Sequence, residues 1–158
     1  MILFYSNSDI FSNFYKCEIK VFANTFSSSE QLFMYLKALI FADIDTALAI
    51  LSAQGPSEAK KLGRSAIPFD QESWDIVKQQ LMYIANYAKF DKNEELKKAL
   101  LATDNKLLVE ASPYDKIWGI GLSKDDPKAL NPANWKGLNL LGEVLMDVRK
   151  VLRKNEGV

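Results

Sequence analysis

The sequence predicts a mainly helical α+β fold with a small β element, a single domain over residues 1–158, and three observations carry that expectation. From Ser27 onward most stretches place apolar residues three and four apart, the spacing of one helix face. Residues Ile2 to Phe26 instead alternate apolar and polar types in places, as at Cys17, Ile19 and Val21, and are rich in aromatic and β-branched side chains. No internal repeat, linker or low-complexity tract interrupts the chain.

The N-terminal stretch reads as one or two short strands around an FSNFY loop. Ser27 to Ser29 offer N-cap hydroxyls to a helix over Ser29 to Phe41, with Leu32, Tyr35, Leu36 and Leu39 at helical spacing. Asp43 starts a second helix that runs through Leu51 and is stopped by Gln54-Gly55-Pro56. Pro56 suits a first helical position, opening a short helix that ends near Gly63. A long helix from Asp70 to Phe90 carries Trp74, Val77, Leu81, Ile84 and Ala88 on one face. Glu94 to Ala102 reads as a helix, Lys106 to Glu110 as a short strand, and Lys124 to Lys136 as a polar loop with Pro127 and Pro132. The last amphipathic helix, Asn139 to Arg153, has Leu141, Val144, Leu145, Val148 and Leu152 as its apolar stripe.

With 158 residues the chain can bury roughly two-thirds of its unfolded surface without a staple. Its one cysteine, Cys17, forms no intrachain bridge, and the absence of histidine removes the usual zinc and iron ligand sets, so no metal and no cofactor is expected. A reducing cytoplasm is the expected compartment, since neither a signal peptide nor an apolar run of roughly 20 residues is visible. Twenty basic and twenty acidic residues cancel, which argues against a large positive surface for nucleic acid but leaves room for a local phosphate site.

Glu110 to Leu122, EASPYDKIWGIGL, has neither helical nor strand periodicity and concentrates acids, a tryptophan and two glycines. It is either a turn that sends Trp118 into the core or a loop that builds a site, with Gly119 allowing close backbone approach. Glu30 and Lys37 lie seven residues apart, two helical turns, so they share a face about 10 Å apart along the axis. Because helical side chains lean toward the N-terminus, the Lys37 stem can reach back toward Glu30. The bland alternative is a solvated face. Asp115 is a second carboxylate candidate, held by backbone amides or pushed up in pKa by its apolar setting. Glu110 ranks below it, as a residue that satisfies local backbone or pairs with lysine. Trp118 offers a face for stacking a base, or core packing. Lys60, Lys61, Gly63 and Arg64 suit a phosphate or a surface helix end. Ser12, Asn13 and Phe14 suit ribose hydroxyls and a base edge, or a simple Asx-type turn. Asn139 is either a helix N-cap or a ligand contact.

Seven stretches in register resemble the NADAR family, which includes YbiA-like proteins: FYSNSDIFSNFY, SSSEQLFMYLKA, AKKLGR, WDIVKQQLM, AKFDKNEEL, LLATDNKLLVEASPYDKIWGIGL and NWKGLNLLGEVLMDVR. The resemblance implies cleavage of N-glycosidic bonds on ribose-5-phosphate or ADP-ribose groups, in early riboflavin-pathway intermediates or on guanine bases of nucleic acid. It favours catalysis at Glu30 and Lys37 and a phosphate role for Arg64 over the lysines; with the residue reading, the expected catalytic set is Glu30, Lys37 and Asp115, and the expected substrate-binding set Ser12, Asn13, Phe14, Arg64, Trp118, Gly119 and Asn139. Many members carry histidine after the first-helix glutamate and glutamine further on, whereas Gln31 and Met34 stand here, as in an EQ-type subgroup. The expected partner is a small phosphoribosyl or ADP-ribosyl substrate, free or on ADP-ribosylated nucleic acid. The rival expectation is a module that binds NAD or ADP-ribose without cleaving it.

Overall fold

The structure, a computed structural model, describes residues 1–157. Its helices are α1 (Ser29–Ile40), α2 (Ile44–Leu51), α3 (Pro56–Arg64), α4 (Gln71–Asp91), α5 (Glu94–Leu101) and α6 (Leu140–Asn155). Four three-residue strands accompany them: β1 (Ile2–Phe4), β2 (Ile19–Val21), β3 (Asn24–Phe26) and β4 (Leu108–Glu110). The mainly helical α+β expectation is met.

Helix starts follow the expected chemistry. The Ser28 hydroxyl accepts from Gln31 N at 3.1 Å, Asp43 Oδ1 from Thr46 N at 3.0 Å, and Asp70 Oδ2 from Ser73 N at 2.7 Å, each relieving a first-turn amide that lacks an intrahelical partner. Pro56 opens α3, and Pro127 and Pro132 each open a short 3-10 turn in the polar loop. The expected strand at Lys106 is shorter, beginning at Leu108.

β2 and β3 form an antiparallel hairpin, while β1 pairs in parallel with β4, Ile2 opposite Leu108 and Phe4 opposite Glu110. That second pairing joins distant parts of the chain and places the acid of β4 beside the N-terminal loop. α1 lies at the centre, packed on α2, α3 and α4, and α6 covers α4 and β4. This central position is why α1 departs from a simple stripe. Glu30, Gln31, Phe33, Met34 and Lys37 are buried along with Leu32, and Leu39, expected on the apolar face, is exposed. Gln31 is consumed by the fold: its Oε1 accepts from Ser27 N at 2.7 Å and its Nε2 donates to Ile50 O at 2.8 Å.

The main core joins Phe4, Phe11, Phe26, Leu32, Met82, Phe90 and Leu145, with all five stripe residues of α6. Each such large side chain, fully buried, contributes roughly 1.5–3 kcal/mol. A satellite cluster of Val109, Ala111, Ile120, Leu122 and Ala129 anchors both ends of the loop after β4. No helix among the described residues is long and apolar enough to cross a membrane.

Candidate active site

One face of α1 supplies the floor. Glu30, Phe33, Met34 and Lys37 recur at three- and four-residue spacing, and α3 lies directly over them. Gly63 permits that contact, since a Cβ there would fall 2.2 Å from Met34 Sδ. With α3 so close, Lys60 and Arg64, one turn apart, bring positive charge to bear on Glu30. Lys60 Nζ also stands 5.5 Å from the Phe14 ring centroid.

The second wall is the end of β4 and the loop that follows. Asp115 Oδ1 accepts from both Ile117 N and Trp118 N at 2.8 Å, the backbone-held arrangement anticipated for it. Trp118, half-buried, meets Phe33 edge-on with centroids 5.4 Å apart, and Phe33 in turn packs on Trp74 of α4. Gly119 permits a close approach of backbone to backbone. A Cβ on it would lie 2.9 Å from Glu110 O and 3.0 Å from Asp115 O, so the close approach it allows is between two segments of its own chain. That approach brings Glu110 and Asp115 together. Asn139 stands at the N-cap position of α6. It makes no capping bond; its Oδ1 accepts from Glu110 N and its Nδ2 donates to Leu108 O, both at 3.0 Å, so it clamps α6 to β4.

The N-terminal loop closes the third side. Ser12 and Asn13 are both buried. The Ser12 hydroxyl accepts from Phe14 N at 3.1 Å, the turn reading of that residue, and Ser12 O accepts from Lys89 Nζ at 2.8 Å. Asn13 Nδ2 donates to Glu30 Oε2 at 3.3 Å and to Met82 Sδ at 2.9 Å, which makes Asn13 a direct neighbour of that carboxyl group.

Carboxyl groups crowd this region. Burial pushes the Glu30 carboxyl above its ordinary pKa, helped by Asp115 and opposed by Lys60, the Asn13 amide and Arg64. Glu110, which sequence reasoning ranked below Asp115, is pushed up as well, to about 8, chiefly by burial and then by the neighbouring charges of Asp115 and Asp9, Lys60 opposing. Its side chain makes no hydrogen bond among the described residues. Two buried carboxyl groups, both held above their ordinary range, therefore lie close to Asp115. The Lys37 ammonium is pushed below its ordinary range by burial and by Arg64, with Glu30 opposing. It does not reach Glu30 in an ion pair; Nζ sits over the Phe69 and Trp74 rings, 4.9 and 5.0 Å from their centroids. Those faces favour the charged form and temper the effect of burial.

Comparison with known proteins settles the lineage. The pattern of the NADAR domain matches residues 3–153, nearly the whole chain. The chain belongs to the NADAR family. Among its NADAR relatives, Protein irg-1 of Caenorhabditis elegans is 42% identical over 96% of this chain and 79% of its own length. An N-glycosidase of Acanthamoeba polyphaga mimivirus is 39% identical, covering 89% of this chain and 86% of its own. The N-glycosidase YbiA of Escherichia coli is 36% identical over 96% of this chain and 88% of its own. The NMR structure of E. coli YbiA superposes with a TM-score of 0.80 over 98% of this chain and 86% of that one, at 35% identity.

Within this NADAR chain, Glu30, Lys37, Asp115, Arg64, Phe14 and Trp118 gather near one face of α1, whereas Gly119, Asn139, Ser12 and Asn13 hold the surrounding segments in place. Lys60, Glu110 and Asp9 were missed or underweighted as partners. The motif AKKLGR signalled Lys60, but only packing ranks it beside Arg64. Asp9 carries no local signal; its Oδ2 accepts from Tyr5 N at 2.9 Å at the end of β1.

Proposed function

We propose that this chain is an N-glycosyl hydrolase that cleaves the bond between a phosphorylated ribose or ADP-ribose group and a nitrogenous base. The observation that carries the reading is the convergence of three carboxyl side chains, Glu30, Glu110 and Asp115, with the α3 cations Lys60 and Arg64 beside Glu30, the two buried acids being held above their ordinary range. Breaking C1′–N sends the bonding pair to the base nitrogen, which needs a proton, and leaves cationic character on the ribose, which needs negative charge nearby. Glu110 supplies the proton. Glu30 and Asp115 face the developing oxocarbenium, and water completes hydrolysis at C1′. A pure binder of an anionic ligand gains nothing from buried carboxyls held above their ordinary range.

The cations of α3, Lys60 and Arg64, suit the phosphate. Replacing Arg64 with Ala is expected to weaken phosphate-bearing substrates by about 1.5–3 kcal/mol and to leave dephosphorylated analogues nearly unchanged, read from kcat/KM for matched pairs. Equal loss for both would place Arg64 outside the phosphate subsite.

Lys37 gives the reaction a covalent route. Burial and Arg64 push its ammonium below the ordinary range; once deprotonated, the amine bonds to C1′ as the base departs with the bonding pair, the ring oxygen then leaves as the C4′ hydroxyl by taking up a proton released from the nitrogen, and water later cleaves the imine. Borohydride added during turnover is expected to fix a ribose adduct on Lys37, seen by peptide mass. No adduct, together with normal turnover by Lys37→Arg, would reduce Lys37 to an electrostatic role.

The substrate class is tested by incubation with ADP-ribosylated guanine, NAD and riboflavin-pathway ribosylamines under one set of conditions. Base release from at least one is expected, and tight binding of all with release from none would favour the non-catalytic module.

A further inference from the structure

α4 carries a buried polar stripe that the reaction above does not use. Met82, Asn86 and Lys89, four and three residues apart, share one face, and all three are sealed from solvent. An amide and an ammonium at such positions are costly where leucine or methionine would pack, and Asn86 Oδ1 has no hydrogen-bond partner among the described residues. Their donors all serve the Ser12-Asn13 loop or its support. Lys89 Nζ holds Ser12 O at 2.8 Å and rests against the Tyr15 and Phe90 rings. Asn86 Nδ2 donates to Asn13 Oδ1 at 3.0 Å and to Met82 O at 3.1 Å. The Ser29 hydroxyl donates to the same Asn13 Oδ1 at 3.1 Å.

With two donors converging on Asn13 Oδ1, a flipped Asn13 amide would set its NH2 against the NH2 of Asn86. With Asn86 Nδ2 also held by Met82 O, the orientation shown is the one that gives both converging donors an acceptor, and in it Asn13 Nδ2 points to Glu30 Oε2 at 3.3 Å and to Met82 Sδ at 2.9 Å. We propose that Asn86 is a positioning residue for the reaction: acting through Asn13, it locks the amide that faces the Glu30 carboxyl as a donor. The inference rests on the N-glycosidase reading only for its kinetic consequence.

A locked donor favours ionised Glu30 against the burial that opposes it. Around Glu30 the other charged groups are Lys60 and Arg64 from α3, Lys37 from α1 itself, Asp115 from the loop and Glu110 from β4. None of them touches Asn86 by a hydrogen bond, so loss of Asn86 perturbs Glu30 through Asn13.

The test is a carboxyl-carbon NMR titration of Glu30 in the substrate-free protein, for the wild type, Asn86→Leu, Asn13→Ala and the double variant. Asn86→Leu is expected to move the Glu30 titration upward, and to move it no further once Asn13 is alanine. The acidic limb of kcat/KM should shift the same way, with kcat down about 10-fold and KM changed by less than about threefold, the signature of lost positioning. An unmoved Glu30 titration in Asn86→Leu, or an equal shift in the Asn13→Ala background, overturns the proposal. Should Asn86→Leu fail to fold, Asn86→Ser, too short to reach Asn13, gives the same comparison. Because the titration uses no substrate, a shifted Glu30 in a protein that releases no base would overturn the glycosidase reading and keep the relay.

Discussion

Replacing Glu110 with Gln is expected to lower turnover by about 100-fold or more while making the protein more resistant to unfolding at alkaline pH. The first effect follows from removing the proton donor for the leaving base, for which losses of roughly 10²–10⁴-fold are usual. The second follows from linkage. The folded-state pKa of Glu110 is raised to about 8, so between the ordinary carboxyl range and about 8 the native protein binds more protons than the unfolded chain, and stability falls as pH rises through that window. Above it the wild type carries a buried, crowded carboxylate, whereas the amide of the Glu110→Gln variant stays neutral, a difference of roughly a few kcal/mol at most. Thermal melts at pH 5 and pH 9 read this directly, the gap between the variant and the wild type widening at the higher pH. The alkaline limb of wild-type kcat/KM near pH 8 should vanish as well, although the value belongs to the coupled cluster of Glu110, Glu30 and Asp115 and not to one residue. A variant with normal turnover and an unchanged melting profile would remove Glu110 from the site.

The second large effect is expected at Glu30. Its carboxyl is buried on α1 and held by Asn13 and the α3 cations, so Glu30→Gln keeps the shape and the Asn13 contact and deletes only the charge. Turnover should drop about 100-fold or more while ligand affinity, measured by calorimetry, stays within a few-fold. Equal loss of rate and affinity, or collapse of the fold, would show that Glu30 is a structural acid.

Much of the fold was legible because its signals are local. Ser28, Asp43 and Asp70 cap where short polar side chains precede periodic runs, Pro56 opens its helix, and the α6 stripe is buried as the 3.6-residue period requires. The site was legible as far as side-chain chemistry on single elements goes: Glu30 and Lys37 on one helix face, and Asp115 gripped by the amides after it. What escaped depends on contacts between distant segments. Glu110 looks ordinary at the end of a strand until the β1 to β4 pairing and the Gly119 contact bury it among other acids. Asn86 and Lys89 interrupt the apolar period of α4, and periodicity places Ala88 inward without showing that its polar neighbours go inward too. Gly119 and Asn139 lie in the right motif, yet their groups are spent on backbone, a distinction that only coordinates make.

The most direct measurement of the central claim is a product mass balance. Wild-type protein is incubated with a phosphoribosyl or ADP-ribosyl conjugate of a base, and both products are weighed by mass spectrometry beside a Glu30→Gln control. The account predicts equal amounts of unmodified base and of the sugar fragment carrying one added water, at a rate suppressed in the control. Cleavage at the pyrophosphate with the base still on its ribose, or recovery of intact conjugate from a saturated complex, would contradict it.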